Sequence, residues 1–193
     1  MINYLAQHWN LINFIQQQIK RLITYNQTLA KADFFVECCP KGLQRLYQKL
    51  SSMKILRQLH DQQLLIVSST ARNGLILYKG CHAEFVGPGS AVGGPFDLEC
   101  KRVLPVGRLS LKPPESAEEQ RKAILIRRQW VRLTMQIRDN PVPLQRAQKI
   151  LNQLENYFDQ ETINQLPDEA LALLVGVLPH MIKRVRNQDD RLE

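Results

Sequence analysis

The central third of the sequence constrains the fold most, because its hydrophobic pattern changes there from helical to strand-like. The stretch "QLLIVSSTARNGLILYKG" (63–80) holds two β-rich runs around Asn73-Gly74, a dipeptide that adopts the positive φ angles of a tight hairpin turn. Three further strand patterns follow, at 83–86, 96–104 and 107–111. Because the links between these runs are too short for helical crossovers, the segment predicts a small antiparallel sheet with a central hairpin at about 64–82.

Helical patterns flank this segment on both sides. An N-terminal amphipathic helix is predicted from apolar residues three and four positions apart, namely Leu5, Trp9, Ile12, Ile15, Ile19 and Leu22. A second helix follows Pro40, and its apolar stripe consists of Leu43, Leu46, Tyr47 and Leu50. After the strands, Ser116 and Glu119 match a capping box. They introduce a helix with a stripe of Ala123, Ile126, Trp130, Leu133 and Ile137.

Two more helices complete the C-terminal part. One carries Leu144, Ala147, Leu151, Leu154 and Phe158 at heptad-like spacing, and the last starts near Pro167 and is kinked or ended by Pro179. We therefore predict an α+β fold in a single domain over 1–193, with a helical part (1–60), an antiparallel β part (61–114) and a helical part (115–193). The predicted core includes Trp9, Ile12, Leu65, Ile76, Ile126, Trp130, Leu151 and Leu174.

The net charge of +8 is distributed unevenly along the chain. Residues 1–60 carry 8 basic and 2 acidic side chains, and residues 101–139 carry 10 basic and 4 acidic ones. Positive potential of this kind favours an acidic partner, either a polyanion or an acidic protein surface. The candidate contact residues lie on the helix that begins after Ser116, and they are Arg121, Lys122, Arg127, Arg128 and Arg132.

This basic helix, together with the helix that follows it, permits a nucleic-acid-binding interpretation as a helix-turn-helix. Two features count against it. The intervening turn "RDNPVPL" contains two prolines and no glycine, and the second helix contributes only Arg146 and Lys149 as cations. Nucleic-acid binding through 116–138 is therefore the alternative hypothesis rather than the leading one.

The glycine-rich segment "GPGSAVGGP" (87–95) resembles a phosphate-binding loop only superficially. A dinucleotide-binding loop needs a strand before the glycines and a helix directly after them. Here Gly93 is followed by Gly94-Pro95 and a strand-like run, and no Gly-Lys-Ser/Thr follows. We therefore predict a mobile loop that connects two strands, and no nucleotide cofactor.

The cysteines and histidines offer a second alternative, a zinc protein or a Cys/His-dependent enzyme. His82-Ala83-Glu84 matches the start of the zinc deaminase signature, but the Cys-x-x-Cys of that signature is absent from the sequence. A zinc site could still form from Cys81, His82, Cys100 and one of Cys38 or Cys39, and a Cys81 or Cys100 thiol could pair with His60. Buried thiols acting as small hydrophobic residues are the favoured interpretation. We predict no metal, no cofactor and no enzymatic activity.

The leading functional hypothesis is a non-catalytic regulatory or adaptor protein. It would bind a protein partner, or a second copy of itself, through its amphipathic helices, with no small-molecule substrate. No run of apolar residues is long enough to span a membrane, and the N-terminus lacks the pattern of a secretory signal. Together with four cysteines expected to be free thiols, this pattern predicts a cytoplasmic location.

Overall fold

The computed structural model describes residues 41–70 and 72–189 of the 193-residue chain. A compact unit extends from Gln48 to the end of the chain, and it contains the strands and C-terminal helices described below. The described helices are α1 (Lys41–His60), α2 (Ala117–Arg138), α3 (Pro143–Glu155), α4 (Gln160–Asn164), α5 (Asp168–Val175) and α6 (Pro179–Asp189). The predicted helix at 5–22, with Trp9 and Ile12, lies outside the described residues, so the single-domain assignment over 1–193 stays a prediction.

Six strands lie between α1 and α2 in the described part of the chain. They are β1 (Leu64–Val67), β2 (Asn73–Lys79), β3 (His82–Val86), β4 (Ala91–Gly93), β5 (Cys100–Gly107) and β6 (Leu111–Lys112). They form two three-stranded antiparallel sheets, one in the order β4-β1-β6 and the other in the order β3-β2-β5. The predicted α+β class with antiparallel pairing is therefore confirmed, although the strands form two sheets instead of one.

The position of the central hairpin differs from the prediction. Strand β1 pairs with β4 and β6, whereas β2 pairs with β3 and β5. The observed hairpin is β2–β3, residues 73–86, and it turns at Gly80, where φ is +55°. Asn73 and Gly74 lie inside β2 and do not form a turn. A Cβ at Gly74 would lie 2.7 Å from the Phe85 ring, so glycine is required there by the close approach of β3.

The core lies on both faces of the β3-β2-β5 sheet. One face packs on the C-terminal helices, where Ile76 and Phe85 meet Trp130, Leu151 and Leu174. The opposite face packs on α1 and the other sheet, through Leu59, Leu75, Leu77, Val67 and Val92. Of the predicted core residues in the described range, Leu65, Ile76, Trp130, Leu151 and Leu174 are buried, and Ile126 is half-buried.

The ends of the helices follow local sequence signals. Ser116 Oγ accepts a hydrogen bond from the Glu119 N–H at 3.1 Å, so the predicted N-terminal cap of α2 is confirmed. Helix α5 ends at Gly176, where φ is +65°. Pro179 begins α6 rather than ending or kinking the helix before it, because proline fits the first helical turn, where its missing N–H has no partner to lose.

Candidate functional site

Only the first part of the glycine-rich segment, residues 87–90, is a loop that connects two strands, β3 and β4; the rest has regular structure. Ala91–Gly93 forms β4, which pairs with β1, and Gly94–Phe96 forms a single 3-10 turn. Gly93 has a φ of +88°, and a Cβ there would collide with the Gln63 carbonyl oxygen. Glycine at this position therefore allows close backbone packing. Shortly after the segment, Asp97 lies in the protein interior with its side chain fully buried.

A buried ionic cluster forms around Asp97, and its other members are Lys79, Glu84 and Arg127. The Arg127 guanidinium binds the Asp97 carboxylate through two hydrogen bonds of 2.6 and 2.7 Å. Its Nε donates to Glu84 at 2.9 Å. Lys79 Nζ lies 2.7 Å from Glu84 and 2.9 Å from Asp97. The cluster therefore links α2 to strands β2 and β3 of one sheet and to the segment that follows β4 of the other.

The charges of this cluster balance, two positive against two negative. Burial by itself raises the pKa of Asp97, but hydrogen bonding and the charge of Arg127, with help from Lys79, outweigh burial and lower that pKa. Burial likewise opposes the charge of Lys79, yet the hydrogen bonds that it donates to Glu84 and Asp97 raise its pKa. Because every carboxylate and cation in the cluster is paired, this arrangement serves the fold and offers no free acid or base.

Arg127 was one of the five cations predicted to contact a polyanion or an acidic partner, and for this residue the prediction is wrong. Its side chain is only 6% exposed, and all of its charge is satisfied within the protein. Arg121, Lys122, Arg128 and Arg132 are exposed on α2. No ion pair involves these four residues within the described ranges 41–70 and 72–189.

Three of the exposed cations share one face of α2 with two apolar side chains. We call this face the outer stripe, and it consists of Arg121, Leu125, Arg128, Arg132 and Met135. Steps of four and three residues keep the outer stripe on one side of the helix, opposite the buried Trp130. Leu125 is 56% exposed and Met135 is 55% exposed. At 1.5 Å per residue the stripe is about 21 Å long. Lys122 lies about 100° around the helix from Arg121 and is not part of it.

The cysteines and histidines of the second alternative do not form a joint site among the residues described. Cys81 is exposed and Cys100 is buried. No group of three His, Cys, Asp or Glu side chains that could hold a metal ion occurs in 41–70 and 72–189. Cys38 and Cys39 lie outside those ranges, so their part in a zinc site stays untested.

The Cys100 thiol is not paired with His60. The His60 Nε2 atom lies 2.8 Å from the Cys100 carbonyl oxygen, and the thiol donates to the Arg102 carbonyl oxygen at 3.3 Å. Burial raises the pKa of Cys100. Because the thiolate is the nucleophilic form, this environment disfavours reaction at Cys100.

Sequence analysis missed the ionic cluster. Lys79 and Glu84 flank the turn of the β2–β3 hairpin, where Lys79 pairs with His82 and Leu77 pairs with Glu84. This register places the two charged residues diagonally on one sheet face, so a correctly placed hairpin would have identified that pair. Asp97 and Arg127 gave no local signal, because they lie 30 residues apart.

Comparisons with known proteins add no family or relative, since no protein-family model, curated protein or solved structure matches this chain. Among the described helices, none combines the length and apolar character that crossing a membrane requires.

Proposed function

We propose that this protein is a non-catalytic regulatory or adaptor protein that binds an acidic, amphipathic segment of a protein partner along the outer stripe of α2. The observation that carries the proposal is that exposed arginine and exposed apolar side chains lie together in the stripe. Arg121, Arg128 and Arg132 match carboxylates, whereas Leu125 and Met135 match apolar side chains. An acidic amphipathic helix presents both kinds of group on one face.

The energetics favour a protein partner over a bare polyanion. Burying Leu125 and Met135 contributes roughly 1–2 kcal/mol each, because both are already partly covered. Exposed arginine–carboxylate pairs add about 1 kcal/mol or less apiece. A nucleic-acid backbone would pair with the arginines and leave the apolar side chains in water, so part of the stripe would go unused.

Nucleic-acid binding is the second candidate, and the exposure of Arg121, Lys122, Arg128 and Arg132 on α2 favours it. The following helix supports it less well. Arg146 in α3 is half-buried, which leaves Lys149 as the exposed cation of the pair that the helix-turn-helix interpretation requires.

A site-specific photocrosslinker at position 125 tests the two candidates directly. The protein carrying p-benzoylphenylalanine in place of Leu125 is irradiated in native lysate with and without nuclease, and crosslinked segments are identified by mass spectrometry. We expect a nuclease-resistant crosslink to an acid-rich amphipathic segment of one protein. The same crosslinker at Lys183, which is exposed on α6, serves as the control and should not capture that segment.

Two results would contradict the proposal. A crosslink that disappears with nuclease and contains nucleic acid would favour the second candidate. Equal capture of the same segment from position 183 would show that the outer stripe is not the contact surface.

A further inference from the structure

A groove beside α2 carries an inference that is independent of the outer stripe. The groove has a volume of about 680 Å³, which lies in the range of small-molecule sites. Residues on the flank of α2, including Gln129, Trp130 and Leu133, line one side. The other lining residues are Ser69, Thr70 and Arg72 between β1 and β2, Pro88 between β3 and β4, and Asn156 and Tyr157 after α3. None of the lining residues belongs to the outer stripe.

The floor of the groove is aromatic and aliphatic. Trp130 is 8% exposed, and its ring meets the Tyr157 ring edge to face, with centroids 4.6 Å apart and an angle of 61° between the planes. Leu133 is half-buried beside them. A third aromatic ring can add to this pair, because aromatic rings pack favourably in edge-to-face and offset arrangements. The floor therefore fits a flat, apolar ligand body.

The rim of the groove is polar and carries one charge. Arg72 is the charged residue among those that line it, and no carboxylate is among them. Gln129 and Asn156 contribute amides at the rim. Next to these residues, the Ser68 and Thr70 hydroxyls form a hydrogen bond of 2.8 Å. A lone guanidinium next to neutral donors matches a carboxylate, which accepts hydrogen bonds from several donors.

Among the residues described, Asp159 is an acid whose pKa is affected by the charge of Arg72, and its carboxylate has another hydrogen-bond partner. Asp159 accepts a hydrogen bond from the Thr162 N–H at 2.7 Å. That bond, with a smaller contribution from Arg72, lowers the pKa of Asp159. No ion pair joins Arg72 to Asp159 among the residues described. The guanidinium of Arg72 thus remains available to a ligand.

We infer that this groove binds a small aromatic carboxylate, with its ring on Trp130 and Tyr157 and its carboxylate on Arg72. The ligand is a regulatory one, since the groove residues include no nucleophile–base pair that would act on it. The inference does not depend on the proposed partner, because the groove and the outer stripe use different residues of α2.

The experiment uses naphthalene-2-carboxylate as the probe and the Trp130 indole N–H signal in NMR spectra as the readout. A Trp9→Phe variant assigns that signal, because the chain has two tryptophans. The uncharged naphthalene-2-carboxamide is the matched ligand control. We expect the carboxylate to shift the Trp130 signal saturably and the carboxamide to bind about tenfold more weakly, since it lacks the charge-assisted hydrogen bond.

Variants separate this role of Arg72 from a general charge effect. Arg72→Gln should weaken carboxylate binding about tenfold and leave carboxamide binding unchanged, whereas Lys183→Gln should change neither. Ser69→Trp, which fills the mouth of the groove from an exposed position, should abolish binding of both probes with an unchanged melting temperature. The inference is overturned if the Trp130 signal does not move at millimolar carboxylate, if both probes bind equally, or if Arg72→Gln binds like the unsubstituted protein.

Discussion

Arg127 and Arg128 are neighbours in sequence and have opposite surroundings. Arg127 belongs to a buried stripe of α2 that includes Ala123, Trp130, Thr134 and Ile137, and Arg128 belongs to the outer stripe. The two stripes have the same spacing of four and three residues, and they lie on opposite sides of the helix. A step of one residue rotates the side chain by about 100°. That rotation separates an arginine paired with the buried Asp97 and the half-buried Glu84 from one that is exposed to water. Charged residues in the sequence of a helix therefore do not identify a binding face until the buried side of that helix is known.

The largest effect that would test this comparison is expected from Arg127→Met. Removal of the guanidinium leaves the buried Asp97 and Glu84 to share Lys79 as their remaining cation, and loss of one partner from a buried ion pair typically costs about 3–5 kcal/mol of unfolding free energy. Arg128→Met is the matched control, and it should change stability by no more than about 0.5 kcal/mol. Urea denaturation at neutral pH measures both. Similar losses for the two variants would contradict the assignment of Arg127 to the interior.

The pH dependence of stability tests whether Asp97, the buried partner of Arg127, is ionised in the folded protein. The folded-state pKa of Asp97 lies below its unfolded value of about 3.9. Ionised Asp97 therefore contributes stability that is fully present above that value and is lost as the pH falls through the folded pKa. We expect Asp97→Asn to cost roughly 2–3 kcal/mol between about pH 5 and 7 and progressively less in more acidic solution. A cost that stays constant down to the acid transition would show that Asp97 is not ionised in the fold.

On the outer stripe, Leu125→Glu should affect binding and leave the fold intact. A carboxylate at this exposed position repels an acidic partner and removes an apolar contact, so partner affinity should fall at least about tenfold, or about 1.4 kcal/mol. Unfolding free energy should change by no more than about 0.5 kcal/mol. Isothermal titration with the crosslinked segment, synthesised as a peptide, gives the affinity. Leu178→Glu, at another exposed leucine, is the control and should bind normally.

The smallest effect is expected at Lys122, which was part of the predicted contact set and is exposed outside the stripe. Lys122→Gln should weaken partner binding less than about twofold, because an exposed charge outside the contact surface is screened by salt. The same substitution at Arg128, within the stripe, should weaken binding several-fold in the same titration. Equal effects at the two positions would mean that net charge, rather than the stripe, decides binding.

Local signals explain why the helices could be predicted. The capping box at Ser116 acts over three residues, so the start of α2 can be read directly from the sequence. The glycine that ends α5 is an equally local signal, but the prediction passed over it and placed the end of that helix at Pro179. The buried stripe predicted for α2 was partly wrong. It included the apolar residues Ile126 and Leu133, whereas the structure buries Arg127 and Thr134. In the structure Ile126 and Leu133 are half-buried and line the groove. A pattern of hydrophobicity cannot place a buried arginine whose partners lie elsewhere in the chain.

By itself, the sequence determined the α+β class, the antiparallel pairing and the start of α2, because periodicity, short links and capping are local properties. Tertiary structure alone decided that β1 and β2 belong to different sheets, although only five residues separate them. It also decided that Arg127 is buried, through hydrogen bonds to residues 43 and 30 positions away. The physical reason is the same in both cases. Strand partners and buried ion pairs depend on which distant residues the folded chain brings within a few ångströms of each other. A short stretch of sequence contains no information about those distant residues.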